Sequence, residues 1–337
     1  MIKFVRVNYN TVVQQDDELF GASRRPPHTR WFNTSFHPAE DYPDHPVPTE
    51  SPYFFKLWLP LILWTRRLNH ADVQCVRLHY RHVNLLHKVA NASIPVGRVN
   101  LTYLEEIAEM IEPRFQKLLF PDSGLFMRLN PCSAKDGVQK VPGKLSLHSV
   151  DEIILRLVTS TRARNVWAEM RRTPHATISP EVYFLPFNER MVPECEYRVF
   201  CPPTSPGTPL NISAISQYQW HKPWLFRYLS EEDARRAAYE ITIKCGSILI
   251  EINNAMNGLP GIVQLPGITP EIRHLLFTQG LTFDVFFDEE TRECHLIELN
   301  VFGIRSACGS CLFHWKNDME ILYNTDASAE VEFRVTY

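Results

Sequence analysis

Residues 283–300 read FDVFFDEETRECHLIELN, and this stretch decides how the rest of the chain is read. Apolar runs over residues 281–287 and 294–301 flank a charged turn, the pattern of two paired antiparallel strands. Alternate side chains of a strand share a face. Cys294, Leu296, Glu298 and Asn300 should therefore point one way, and His295, Ile297 and Leu299 the other. Glu298 and Asn300 then stand about 7 Å apart on one face. Asp284 supplies a second carboxylate from the neighbouring strand. Two carboxylates and an amide oxygen form a hard-oxygen set suited to Mg²⁺, which takes few protein ligands and completes its octahedron with water and phosphate. The same residues also suit the solvent face of an ordinary hairpin. Register separates the two readings, because a slip of one residue reverses every side chain. Asp284 faces Glu298 only across an odd-length loop, such as residues 290–292 with Glu289 opposite Glu293, or through a β-bulge.

Working outward, residues 181–185, 197–201 and 211–217 read as strands, the last two joined by a Pro-, Thr- and Gly-rich connection. Arg198 is a lone cation on an apolar strand, and once buried it needs an anion, either a phosphate or a structural carboxylate such as Glu196. Ser230 caps a long helix running toward Ile252. Upstream, residues 125–129 form a short strand that leads into NPCSAKDG. There Arg128 can grip phosphate oxygens, and Lys135 with the backbone of residues 133–137 can cover them as a flexible flap. A surface turn with ordinary charges has the same composition. Ser149 and Glu152 make a capping box before an apolar helical face. Residues 102–112 show helical spacing ended by Pro113, and residues 73–89 read as a further helix. Helices alternating with antiparallel strands make an α+β chain.

With 337 residues and 45% hydrophobic content, the chain can bury a core of about two domains. A net charge of −3 argues against a protein that coats nucleic acid. The apolar segment 53–64 is too short to span a bilayer and contains Lys56 and Pro60. No signal-peptide core precedes it, so a soluble, cytoplasmic protein with reduced thiols is expected, without membrane or nucleic-acid partners. The Pro-rich, acidic residues 37–52 should be extended and exposed, closing an N-terminal arm over residues 1–52. An N-terminal lobe over 53–180 and a C-terminal lobe over 181–337 follow. Cys308 and Cys311 with His314 offer three ligands where structural zinc takes four, so they read as loop residues. His79, His82 and His87 lie among Arg77, Arg81 and Lys88 without acidic partners and read as a solvated basic helix face.

Taken in order, these segments resemble the cell division cycle protein 123 family, a branch of the ATP-grasp superfamily, over roughly residues 100–315. LFMRLNPCSAKDG, EYRVF, AISQYQW, FDVFFDEETRECHLIELNVFG and LFHW carry the resemblance. It implies an ATP-grasp fold in which two α+β lobes with mainly antiparallel sheets enclose a nucleotide cleft. It places Arg128 at the family's phosphate-contacting lysine, and Ser133 and Lys135 in its phosphate loop. Tyr183, Phe184, Leu185 and Pro186 fall at the adenine hinge, and Asp284, Glu298 and Asn300 at the metal-binding positions. The cofactors implied are ATP and Mg²⁺. The chain departs from the family at Arg128, at Tyr218 and Gln219 where the family has Arg-Asp, at Glu298 where it has aspartate, and in the loop after Gly303.

Two functions follow from the resemblance. One is a carboxylate–amine ligase that activates a small carboxylate as an acyl phosphate for attack by an amine, with Arg128, Lys135 and Arg198 assisting catalysis. The departures near the nucleotide positions favour this enzyme. The other is an ATP-dependent chaperone that assembles eukaryotic translation initiation factor two, with a factor subunit as partner.

Overall fold

The computed structural model describes residues 1–20, 26–172 and 180–337. In chain order the elements are β1 (Ile2–Val7), α1 (Tyr9–Phe20), α2 (Phe55–Thr65), β2 (Gln74–Arg77), α3 (Tyr80–Ser93), α4 (Leu104–Met110) and α5 (Glu112–Phe115). Then come β3 (Leu125–Leu129), α6 (Val150–Thr159), α7 (Thr161–Arg172), β4 (Glu181–Pro186), β5 (Glu196–Cys201) and β6 (Ala214–Gln217). The chain closes with α8 (Glu231–Asn257), α9 (Pro270–Gln279), β7 (Leu281–Asp288), β8 (Glu293–Asn300), α10 (Met319–Leu322) and β9 (Val331–Thr336). The fold is mixed α+β.

Two compact units emerge. Unit one comprises Met1–Tyr53, Leu57–Arg67 and Arg190–Tyr337, and unit two comprises Phe54–Lys56 and Leu68–Glu189.

Unit one is built on a six-stranded sheet in the order β1-β9-β6-β5-β7-β8. β9 runs parallel to β1 and β6, and the other pairs are antiparallel. The sequence suggests an arm at the N-terminus, yet Ile2–Val7 is an edge strand laid along the last strand of the chain. α8 starts where Ser230 accepts a hydrogen bond from the Asp233 N–H, with Glu231, Glu232 and Asp233 against the positive end of the helix dipole. Its Ala234, Ala237, Ile241, Cys245, Ile248 and Ile252 recur at helical spacing and are buried. The apolar α2 is core as well. Trp58, Leu61 and Ile62 are fully buried, each worth about 1.5–3 kcal/mol or more of apolar burial. Among the described residues no helix is long and apolar enough to cross a membrane.

Unit two holds the antiparallel sheet β2-β4-β3. Met127 opposes Phe184 and Leu129 opposes Val182, and these four belong to the core that also contains Leu86, Leu157 and Trp167. The helix expected over residues 73–89 is instead β2 followed by α3. Gln74–Arg77 pairs with β4, and sheet pairing overrides the local helical spacing. Pro113 does not simply stop a helix. α4 ends at Met110, and Pro113 sits in the first turn of α5. The expected capping box is half formed: Ser149 accepts from the Glu152 N–H, but the Glu152 carboxylate accepts at 2.7 Å from the N–H of His148, one residue before the cap, and not from that of Ser149.

Candidate functional site

The hairpin β7–β8 meets the register condition through a bulge. Asp288 opposes Glu293 across a four-residue loop, 289–292, whose last residue Arg292 has φ +56°. This in-phase pairing continues to Val285 and Leu296, after which Asp284 opposes Glu298 and Thr282 opposes Asn300. Ile297 is the extra residue. The bulge corrects the expected grouping on β8. Cys294 and Leu296 lie on the face of Val285 and Phe283, together with Leu299, and all three are buried. Glu298 and Asn300 stay with Asp284 on the other face.

Arg198 lies directly opposite Asp284 on β5 and answers the question of its anion. Its Nε donates to Asp284 Oδ1 at 2.8 Å and its Nη2 to Oδ2 at 2.7 Å, a bidentate pair in which Arg198 is 6% and Asp284 1% exposed. Nη1 donates to the Gly309 carbonyl at 2.7 Å, and the Tyr218 ring lies 5.0 Å from the guanidinium carbon. Burial pulls the guanidinium pKa down, but the charge and hydrogen bonds of Asp284, together with Cys308 and Cys311, leave Arg198 well above its ordinary value. Asn300 Nδ2 also donates to Asp284 Oδ2, at 3.1 Å.

The loop after Gly303 delivers Gly309 to this pair, and residues near the N-terminus hold the loop. Asn33 N–H donates to the Cys311 carbonyl at 2.7 Å, and Asn33 Oδ1 accepts from the Cys311 N–H at 3.1 Å. Thr34 exchanges bonds with Ser310 and Trp315. A Cβ on Gly309 would stand 2.0 Å from Asn33 Oδ1, so only glycine lets these segments approach so closely. Cys308 and Cys311 lie in this loop as buried free thiols. Burial raises both pKa values against the pull of Arg198, that of Cys311 to about 12. Among the described residues no three His, Cys, Asp or Glu side chains could hold a metal.

In unit two, Arg128 opposes Tyr183. The Arg128 guanidinium is buried 5.1 Å from the centre of the Phe55 ring, and Phe55 packs on Tyr183 with ring centroids 5.5 Å apart. Asn130 fixes this arrangement by accepting from the N–H groups of Phe55 and Lys56 at 2.9 and 2.8 Å. Tyr183 Oη donates to the buried Glu181, which also pairs with Lys56 at 2.8 Å and Arg77 at 3.1 Å. Burial raises the Glu181 pKa, but bonds from Lys56, Tyr183 and Arg77 leave it below the ordinary value. Phe184 and Leu185 are buried in β4, which ends at Pro186.

The loop that carries Ser133 and the exposed Lys135 is anchored at residues 136–138. Asp136 accepts from Ser160 Oγ and from the Arg162 N–H, Val138 N–H donates to Thr159 Oγ1, and Gly137 packs on the Arg156 backbone. The expected basic helix face keeps Arg81 and Lys88 exposed but loses one residue. His82 is buried and accepts from the His79 N–H at 3.0 Å, capping α3, and burial with nearby Arg114 and Arg81 lowers its pKa to about 4.

The sheet face fits a hard cation within limits. Three of the roughly four lone-pair directions of Asp284 already accept from Arg198 and Asn300, so it can offer at most one more. By donating through Nδ2, Asn300 keeps Oδ1 as a ligand, and Glu298 is half-buried beside it. One or two carboxylates, an amide oxygen, phosphate and water match the needs of Mg²⁺. Sequence reading missed Gly309, Asn33, Phe55 and Glu181. The step of three between the buried Leu296 and Leu299 is the one local sign of the bulge.

No family model matches the sequence, and no curated protein matches it by sequence. Solved structures do. Cdc123 from Schizosaccharomyces pombe superposes with a TM-score of 0.54 at 15% identity, over 86% of this chain and 99% of that one. A C-terminally truncated form of the same protein gives 0.52 at 16% identity, over 85% and 96%. Over most of its length this chain therefore has a Cdc123-like fold.

Proposed function

We propose that the chain is a Mg²⁺–ATP-binding protein of the ATP-grasp type that acts as an assembly chaperone for subunits of translation initiation factor two. The observation that carries this reading is the extent of the fold likeness, which covers 99% of the Cdc123 chain. It favours a chaperone over the carboxylate–amine ligase. In unit one, Asp284, Glu298 and Asn300 would hold the metal, with Arg198 fixing Asp284. In unit two, Arg128, Ser133 and Lys135 would meet phosphates, and Tyr183, Phe184, Leu185 and Pro186 would line the adenine. When bound, Mg²⁺ would neutralise phosphate charge.

The test mixes the full chain with purified initiation-factor-two subunits, with and without Mg²⁺–ATP. Stoichiometric capture that strengthens with nucleotide is expected. ATP turnover stimulated by a pool of carboxylates and amines, without capture of any subunit, would overturn the proposal in favour of a ligase.

A further inference from the structure

Charge is divided unevenly between the two units. Unit two carries sixteen Lys and Arg against twelve Asp and Glu, leaving nineteen against twenty-six for unit one. Within unit two, α3 and α7 hold six cations, Arg81, Lys88, Arg162, Arg164, Arg171 and Arg172, against the single carboxylate Glu169. These two helices therefore exceed the unit's whole net positive charge. Arg172 pairs with Glu169. Among the described residues, the side-chain charges of the other five form no ion pair with a carboxylate, although the Arg162 backbone N–H donates to Asp136, and residues 173–179, TPHATIS, contain no Asp or Glu. Cations elsewhere are commonly neutralised, as Arg235 and Arg236 are by Glu231, Glu232 and Asp233 on α8.

The two helices pack so that this charge converges. Arg171 Nη1 meets His87 Nδ1 at 2.5 Å, and the Asn91 amide lies 3.4 Å from the same nitrogen. Arg164, two turns before Arg171, is held by Asn165 Oδ1 at 2.9 Å. Burial, then Arg171 and Arg164, lower the His87 pKa, as expected where cations crowd a ring without an anion. Such a surface is stable only because it stays in water, and it is complementary to negative charge.

From this convergence of unpaired cations and amide donors, we infer that the α3–α7 face of unit two docks an acidic, extended segment of a partner protein. Arg164 and Arg171 stand about 10 Å apart along α7. That is close to the roughly 9 Å between residues three apart on one side of a polyproline-II-like chain. Single-stranded nucleic acid fits less well, because such sites stack bases on exposed aromatic rings. Tyr80, at the first residue of α3, is the one exposed large apolar side chain on these helices.

The full chain, without nucleotide or metal, is titrated against a fluorescent twelve-residue poly-glutamate peptide, a twelve-nucleotide RNA as single strand and duplex, and anionic vesicles. Its outcome is thus separate from that of the ATP-dependent reading. Peptide binding at 50 mM salt is expected, with Kd raised at least tenfold in Arg164→Gln/Arg171→Gln. It should barely change in Arg235→Gln/Arg236→Gln, which removes the same charge from α8. If the first variant unfolds, Arg81→Gln/Lys88→Gln on the exposed turns of α3 reads the same loss. No peptide binding by the unaltered chain, equal loss in the α3–α7 and α8 variants, or tighter binding of RNA or vesicles would overturn the inference.

Discussion

Replacing Asp284 by asparagine keeps the shape of the side chain and removes its charge. Read from sequence alone, such a variant should lose only metal binding and keep its fold. The geometry revises that expectation, because Arg198 would remain buried with the Gly309 carbonyl and the Tyr218 ring while its bidentate carboxylate is gone. With exposures of 6% and 1%, water cannot replace the lost partner. Removing one member of a buried ion pair costs about 3–5 kcal/mol, a large share of a total stability of roughly 5–15 kcal/mol. At about 2–4 °C per kcal/mol, Tm should fall by something like 6–20 °C. Thermal unfolding followed by circular dichroism, without nucleotide or Mg²⁺, isolates this term from ligand stabilisation. The double variant Arg198→Met/Asp284→Leu removes both charges and should recover most of the loss, since an apolar pair can replace a buried ion pair nearly without cost. A Tm for Asp284→Asn within about 2 °C of the unaltered chain, or a double variant no better than the single, would refute the reasoning.

Glu298→Gln should keep the fold and abolish Mg²⁺-dependent stabilisation by ATP in a thermal-shift titration, and unchanged stabilisation would remove Glu298 from the ligand set. Arg128→Lys should retain most nucleotide binding by calorimetry, whereas Arg128→Ala should weaken it by about 2 kcal/mol. Equal losses would assign Arg128 to packing on Phe55 instead. His82 titrates near 4 in the folded chain and near 6.5 unfolded, so the unfolded chain binds the proton first and stability falls as pH drops from about 6.5 toward 4. Denaturant unfolding across that window should show a shallower fall in His82→Gln, whose amide can still accept from the His79 N–H. Part of the slope should remain, because burial and nearby His314 lower His37 to about 4 as well.

What could be read in advance was local. The strands 125–129 and 281–287, the Ser149 and Ser230 caps and the helices they start follow from residue patterns a few positions long, and the structure keeps them. The strands that escaped reading depend on distant partners. β1 lies against β9 across the whole length of the chain, and β2 is four residues that pair with β4 more than a hundred positions later. Spacing on β8 kept Glu298 with Asn300 but grouped them with the wrong neighbours, since alternation cannot count the extra residue at Ile297. The fate of Arg198 was more legible than it first looks. EYRVF is an apolar strand interrupted by one cation, and LTFDVFF is an apolar strand interrupted by one anion. A buried charge is tolerated only where an opposite one meets it, so two such strands in one sheet are stable in the register that opposes Arg198 to Asp284. The same neutralisation leaves Asp284 able to give a cation at most one lone pair. Any metal held on this face therefore depends more on Glu298 and Asn300 than the spacing of three oxygen ligands suggests.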